Sequence, residues 1–316
     1  MPIIYLAPIQ GTTDRIYRSL FPAYFKGVDL AVMPFIASLK KIKASHSLLI
    51  GLHPEHNTGI FSVPQIMSSR AEEFVLLANQ LYDMGHKTVN LNLGCPFPMV
   101  VRKGRGAGML CHPDRIEAFL QEALPGMRPA VSVKLRLGLK SSQEILKVIE
   151  VFNRFALAGL IIHPRTAAQM YEGEVDLDMF RQCLELSVHP VVYNGDIDST
   201  AKYEMLAARF PTVAGWMIGR GLIGNPFLAE EIKGAPMRPD NEKTAVMRAF
   251  HDELLARYSQ LLSGEAHLIN KMKEIWTYMS NFFKNSEKVR KRVYKTHSLP
   301  RYLDAVRKIF DEAGLQ

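Results

Sequence analysis

Short apolar, β-branched runs recur along this chain, and amphipathic stretches with helical spacing separate most of them. The runs are Ile3–Leu6, Leu30–Met33, Ile60–Gln65, Val89–Leu93, Ala130–Leu135, Leu160–His163, Val191–Tyr193 and Trp216–Ile218. Near-continuous apolar strands imply burial on both faces, and therefore a parallel sheet covered by helices. The stretches Ala71–Met84, Pro113–Ala123, Ser142–Ala158 and Thr200–Ala208 supply such helices. Eight strands with helical crossovers over about 230 residues predict an α/β fold of the (β/α)8 TIM-barrel type, with a doubly wound sheet as the alternative. In a barrel, chemistry collects where the strands end, on the C-terminal face. The polar residues at those ends are Gln65, Asn92, Lys134, Arg136, His163 and Asn194, and glycines follow at Gly94, Gly195 and Gly219. Amides, cations and an imidazole at so many strand ends predict a ligand-binding mouth.

The pattern changes after Asn225-Pro226-Phe227. Residues Gly234 to Asp240 have the prolines and polarity of a linker. Beyond them Leu254, Leu255, Tyr258, Leu261 and Leu262, then Ile275, Tyr278, Met279, Phe282 and Phe283, recur at helical spacing. The expected division is a barrel over 1–234 and a C-terminal helical-bundle domain of three or four helices over 240–316. A net charge of +8 favours a polyanionic partner. The cations concentrate late: Lys284, Lys288, Arg290, Lys291, Arg292, Lys295, Arg301, Arg307 and Lys308 face only Glu287 and Asp304 between 284 and 308. A charge run is often just a solvated helix face. Interleaved Tyr294, His297 and Tyr302 on an appended domain favour RNA contact. Lys40, Lys41 and Lys43, and Arg102, Lys103 and Arg105, extend the track.

Three cysteines, Cys95, Cys111 and Cys183, argue against a disulfide framework and for a reducing compartment. No pair has metal-ligand spacing, so no metal is expected. The N-terminus lacks the basic segment and long apolar stretch of a signal peptide, and no apolar run reaches the ~18 residues of a membrane span. A cytoplasmic monomer without a membrane partner is expected.

Val89 to Leu110 is the most informative stretch. A buried strand delivers Asn92, a Gly94-Cys95-Pro96 turn follows, and glycines stand at 104, 106 and 108. A cysteine after a strand is, by itself, most often a small buried hydrophobe. A Gly-Cys-Pro turn at a barrel mouth favours a reactive role. This stretch resembles the tRNA-dihydrouridine synthase family, whose signature is an Asn-x-Gly-Cys-Pro turn before a glycine-rich loop. Ala7-Pro8-Ile9-Gln10-Gly11-Thr12-Thr13-Asp14 is similar to the family's opening motif, and Val133-Lys134-Leu135-Arg136-Leu137-Gly138 to its Val-Lys-x-Arg-x-Gly strand. His163-Pro164-Arg165-Thr166, Asn194-Gly195-Asp196-Ile197 and Ile218-Gly219-Arg220-Gly221 resemble three further strand ends. Ile9 stands where the family has Met, Pro164 where it has Gly, and Leu222-Ile223-Gly224 where it has Ala-x-Gly.

The resemblance implies FMN at the barrel mouth and NADPH, or NADH, as reductant. Ala7, Pro8 and Ile9 would floor the isoalloxazine ring. Gln65 and Lys134 would meet its polar edge, Asn92 would also hold the cofactor, and His163 would contact the phosphate, the flavin or the substrate. Asn194, Gly195, Asp196, Gly219 and Arg220 would hold the phosphate. The implied reaction reduces the uracil C5=C6 bond of tRNA, with hydride to C6 and a proton from Cys95 to C5. A thiol with a pKa of about 8.5 is protonated at neutral pH and suits that role. Asn92, Arg136 and Arg165 would read the extruded base or its backbone. Arg102, Lys288, Arg290 and Arg292 would meet RNA phosphates. Two alternatives remain: a flavin reductase of small molecules, and a non-catalytic RNA-binding barrel.

Overall fold

The computed structural model describes residues 1–38 and 51–316, so Lys40, Lys41 and Lys43 lie outside the described residues. Ten strands form one sheet: β1 (Ile4–Leu6), β2 (Leu30–Val32), β3 (Ile36–Ala37), β4 (Phe61–Val63), β5 (Gln65–Met67), β6 (Thr88–Leu93), β7 (Ala130–Gly138), β8 (Gly159–Thr166), β9 (Val191–Tyr193) and β10 (Gly215–Ile218). Their pairing order is β3-β5-β6-β7-β8-β9-β10-β1-β2-β4, and every pairing is parallel.

The two ends of that order belong together. β2 pairs with β4 and β3 pairs with β5, while single short gaps separate β2 from β3 and β4 from β5. Pro34 and Pro64 sit in those gaps, and a proline offers no N–H to a ladder. Met33 N–H donates to the Val63 carbonyl at 2.8 Å, and Asn90 N–H to the Pro64 carbonyl at 2.9 Å, carrying the pairing across the break. The ten strands are thus eight staves, and the sheet closes into the expected barrel. β7 and β8 outrun their apolar runs, because Arg136 and Arg165 continue them toward the mouth.

Inside the barrel Ala7, Val32, Ile161, Val192 and Met217 pack as one layer with Tyr5 and Leu30. Helices Arg15–Tyr24, Ala71–Asp83, Pro113–Ala123, Glu144–Phe152, Leu177–Leu186 and Thr200–Arg209 cover the outside. Each turns an apolar face inward, as Ile145, Val148, Ile149 and Phe152 do.

After the barrel come helices Asp240–Leu261, Glu265–Met279, Ser286–Tyr294 and Leu299–Glu312. Trp276, Phe283, Tyr302 and Phe310 form their centre, where His251 Nε2 bonds the Tyr302 hydroxyl at 2.7 Å. This bundle also packs on the barrel. Phe250 lies against Tyr17, Phe21, Tyr24 and Phe25. Lys271 Nζ reaches Asp14 and the Gly11 carbonyl, both at 2.6 Å, fastening the loop after β1. Among the described residues no helix is long and apolar enough to cross a membrane.

Candidate active site

The mouth of the barrel is a cavity of about 1300 Å³. On one side, a chain of side-chain amides crosses three staves. Asn90 donates to Ser132 Oγ at 2.8 Å, Gln65 donates to Asn90 at 2.7 Å, and Asn92 donates to Gln65 at 2.7 Å. The Asn92 oxygen then accepts the backbone N–H groups of Gly94 and Cys95, both at 3.0 Å. The buried Arg136 bonds the Gly94 carbonyl at 3.1 Å and the Thr166 carbonyl at 2.9 Å. These contacts fix the turn that carries Cys95.

The glycine-rich loop supports the same turn from behind. Gly106 has φ +56°, and a Cβ there would lie 2.9 Å from the Cys95 carbonyl and 3.0 Å from its Cβ. Ala107 N–H donates to that carbonyl at 3.1 Å. Close approach at this glycine is therefore to the protein's own chain. Burial pushes the Cys95 thiol above its usual pKa, while the Phe97 N–H and the Arg136 charge pull only partly back. Cys95 is thus a thiol at neutral pH.

Lys134, one stave across, lines the cavity and has no hydrogen-bond or ionic partner among the described residues. Burial first, then Arg136, lowers its pKa to about 7. His163 is pushed well below its ordinary value, by burial and then by Arg136, Lys134, Arg165 and Arg220. It is a neutral ring. Its Nε2 faces Arg165 Nη1 at 3.3 Å and must accept there, which leaves the proton on Nδ1.

The opposite side is held by Arg165. All five of its N–H groups are engaged: Nε and Nη2 on the Gly173 carbonyl, Nη1 on His163, and Nη1 and Nη2 on Asp196. Asp196 has φ +40° and also accepts from Arg220 at 2.7 Å. Burial raises the Asp196 carboxyl, but the two guanidiniums outweigh it and hold it below the usual range. Around this bracket the backbone N–H groups of Gly195, Asp196, Gly219 and Arg220 meet no acceptor among the described residues. Asn194 is fixed by a 2.9 Å bond to the Met217 carbonyl. Ala7, Pro8 and Ile9 line the cavity between the two sides.

The family model for dihydrouridine synthase (Dus) matches residues 5–313. The chain belongs to the dihydrouridine synthase family. Among its relatives, the tRNA-dihydrouridine synthase B of Vibrio parahaemolyticus serotype O3:K6 is 30% identical over 274 residues, covering 82% of each chain. That of Pasteurella multocida strain Pm70 is 29% identical over 226 residues, covering 71% of this chain and 67% of the relative. Morphinone reductase in complex with tetrahydroNAD has a similar fold, with a TM-score of 0.53 at 11% identity over 75% of this chain and 88% of that one.

For a dihydrouridine synthase-family site, the cavity gathers Ala7, Pro8, Ile9, Gln65, Asn92, Cys95, Lys134, Arg136, His163, Arg165, Asn194, Gly195, Asp196, Gly219 and Arg220, as the motifs indicate. Arg102, Lys288, Arg290 and Arg292 do not line it; the first three are exposed and Arg292 half-buried. All five Arg165 N–H groups are already engaged, so it works as a bracket and has no donor left for an incoming base. Tyr302 is buried in the helical core and leaves the expected aromatic set of the basic face. Sequence reasoning missed Tyr171, which lies on the loop after β8 with the Arg136 and Arg220 guanidiniums 5.1 and 5.4 Å from its ring centre. It also missed Tyr278 and Asn281, which bring the helical bundle to the cavity wall. No local signal marked these, since each depends on a distant segment folding back.

Proposed function

We propose that this chain reduces the C5=C6 bond of uridines in tRNA, with FMN as resident cofactor and NADPH, or NADH, as reductant. The carrying observation is Cys95, whose thiol burial pushes toward the protonated form, at the rim of a cavity that also presents Lys134 without a partner among the described residues. The tRNA-dihydrouridine synthase names of the relatives support the same reading.

The residues fit FMN. A phosphate needs N–H donors and net positive charge, and the free N–H groups at Gly195, Asp196, Gly219 and Arg220 offer the donors. Asp196 carries one negative charge against Arg165 and Arg220, so the cradle remains positive. Lys134 would meet the N1–C2=O edge of the ring, where a cation stabilises added negative charge. Gln65, held between Asn90 and Asn92, keeps a spare N–H for the same edge. Ala7, Pro8 and Ile9 would floor the ring.

Bound by these residues and reduced, FMN would supply hydride chemistry at uracil C6. Cys95 gives its proton to C5, and the thiolate left behind takes a proton back from solvent. Asn92 acts by positioning Cys95, since its side chain is occupied by Gln65 and the turn. Arg136 lines the cavity beside Cys95 and is the cation placed to meet a uracil carbonyl.

The division of labour follows. The barrel, 1–234, does the chemistry, and the helical region, 240–316, meets tRNA. Lys284, Lys288, Arg290, Lys295 and Arg301 are exposed and have no carboxylate within 4 Å among the described residues, a surface that a small substrate does not require. Cys95→Ala is expected to retain FMN by absorbance while dihydrouridine formation on tRNA falls on the order of 100- to 10,000-fold. Undiminished product from that variant removes Cys95 from its role. A purified protein without a flavin spectrum sinks the enzymatic reading.

A further inference from the structure

The residues after Cys95 form an apolar knuckle on the rim of the cavity. Phe97 is 50% exposed and Met99 72% exposed, with Pro98 exposed between them. Phe97 also lines the cavity, so the knuckle borders the path to Cys95.

The knuckle is stiff. Pro96 and Pro98 fix φ on either side of Phe97. The Phe97 carbonyl accepts from Val100 N–H at 2.8 Å and Val101 N–H at 3.0 Å. Gly106 closes against Val100 from below, its ideal Cβ position lying 3.0 Å from Val100 Cγ1. Among the described residues, half of Phe97 and most of Met99 stay uncovered. Arg102 and Lys103 follow at the end of the short helix, exposed and without a carboxylate partner within 4 Å among the described residues. An apolar tip fringed by free cations has the chemistry of a polyanion that also offers aromatic faces, which is RNA.

A uridine in folded RNA is stacked and must leave the stack to reach Cys95, and its departure opens a gap between its neighbours. Apolar side chains that enter base steps hold such openings. We propose that Phe97 and Met99 form a wedge that fills the gap left by the extruded uridine, with Arg102 and Lys103 on the adjoining phosphates. This rests on the uridine-reducing reading given above.

The test compares two substrates. One is folded tRNA; the other is a short unstructured oligonucleotide with the same bases around the target uridine. For a Phe97→Ser, Met99→Ser double variant, kcat/KM on tRNA should fall on the order of tenfold to a hundredfold more than on the oligonucleotide, as loss of base–aromatic stacking predicts. Phe97→Trp with Met99→Leu should restore the ratio. A 2-aminopurine beside the target should brighten on binding the original protein and stay quenched with the serine variant. An equal fall on both substrates indicates a structural role and overturns the wedge, as does an unchanged ratio. An unchanged ratio together with an altered oligomeric state assigns the knuckle to contact between copies. If the original protein forms no dihydrouridine on either RNA, the uridine-reducing reading falls and the wedge with it.

Discussion

Two cations project from neighbouring staves into one cavity, and their surroundings are opposite. Arg165, near the end of β8, has a partner for every N–H. Lys134, within β7, has none among the described residues. A cation removed from water without partners is costly, and folding alone gives no reason to retain one. Arg165 is therefore architecture: it ties the Gly173 loop to Asp196 and sets the tautomer of His163. On the function proposed above, Lys134 meets the electron-rich edge of the flavin.

The largest effect separates the two by stability. Arg165→Met leaves Asp196 short of a partner and the Gly173 carbonyl without its donors, and should cost about 3–5 kcal/mol. Lys134→Met replaces an unpaired cation with an apolar chain of similar length. It should unfold at an equal or higher denaturant concentration, yet hold FMN more weakly. Urea midpoints at constant slope, with flavin absorbance after gel filtration, read both quantities. Comparable destabilisation by the two changes would place Lys134 with the scaffold.

A pH titration sharpens the contrast. Lys134 titrates near 7 in the fold and near 10.5 in the unfolded chain. Between those values the unfolded chain holds the proton and the folded chain does not. Stability of the cofactor-free protein therefore gains a positive slope with pH from about 7 to about 10. Lys134→Met should remove that part of the slope, measured by urea unfolding at a series of pH values. An identical slope in the variant would mean that Lys134 has a normal pKa and a partner.

That contrast also marks where the sequence stops being legible. The barrel could be read because each buried stave writes its own apolar run, and the mouth because barrel geometry puts strand ends together. That rule put Gln65, Lys134 and His163 at the mouth, and all three line the cavity. Whether a strand-end cation is satisfied depends on groups far along the chain. Gly173 and Asp196 decide it for Arg165, and no local pattern announces them. Tyr302 failed for the same reason: Arg301 and Asp304 lie beside it in sequence, but His251 and Trp276 take its hydroxyl into the core. Breaks at Pro34 and Pro64 divide two staves without altering the barrel, since each half keeps its pairing.

The smallest effect carries the same distinction to the surface. Lys288 and Arg290 are exposed with no carboxylate in reach among the described residues, whereas Arg292 bonds Glu312 at 3.1 Å. An arginine already beside a carboxylate forms a nearly neutral pair and releases little from the counterion atmosphere of RNA when it docks. Lys288→Gln and Arg290→Gln should each lower the slope of log Kobs against log salt for tRNA by about 1, and Arg292→Gln by clearly less. Filter binding over a salt series measures this without catalysis. Exposed ion pairs are weak, on the order of 0–1 kcal/mol, so RNA phosphate could draw Arg292 away from Glu312. Equal slopes for all three variants would show that it does, and that partner count predicts function only for enclosed side chains such as Arg165.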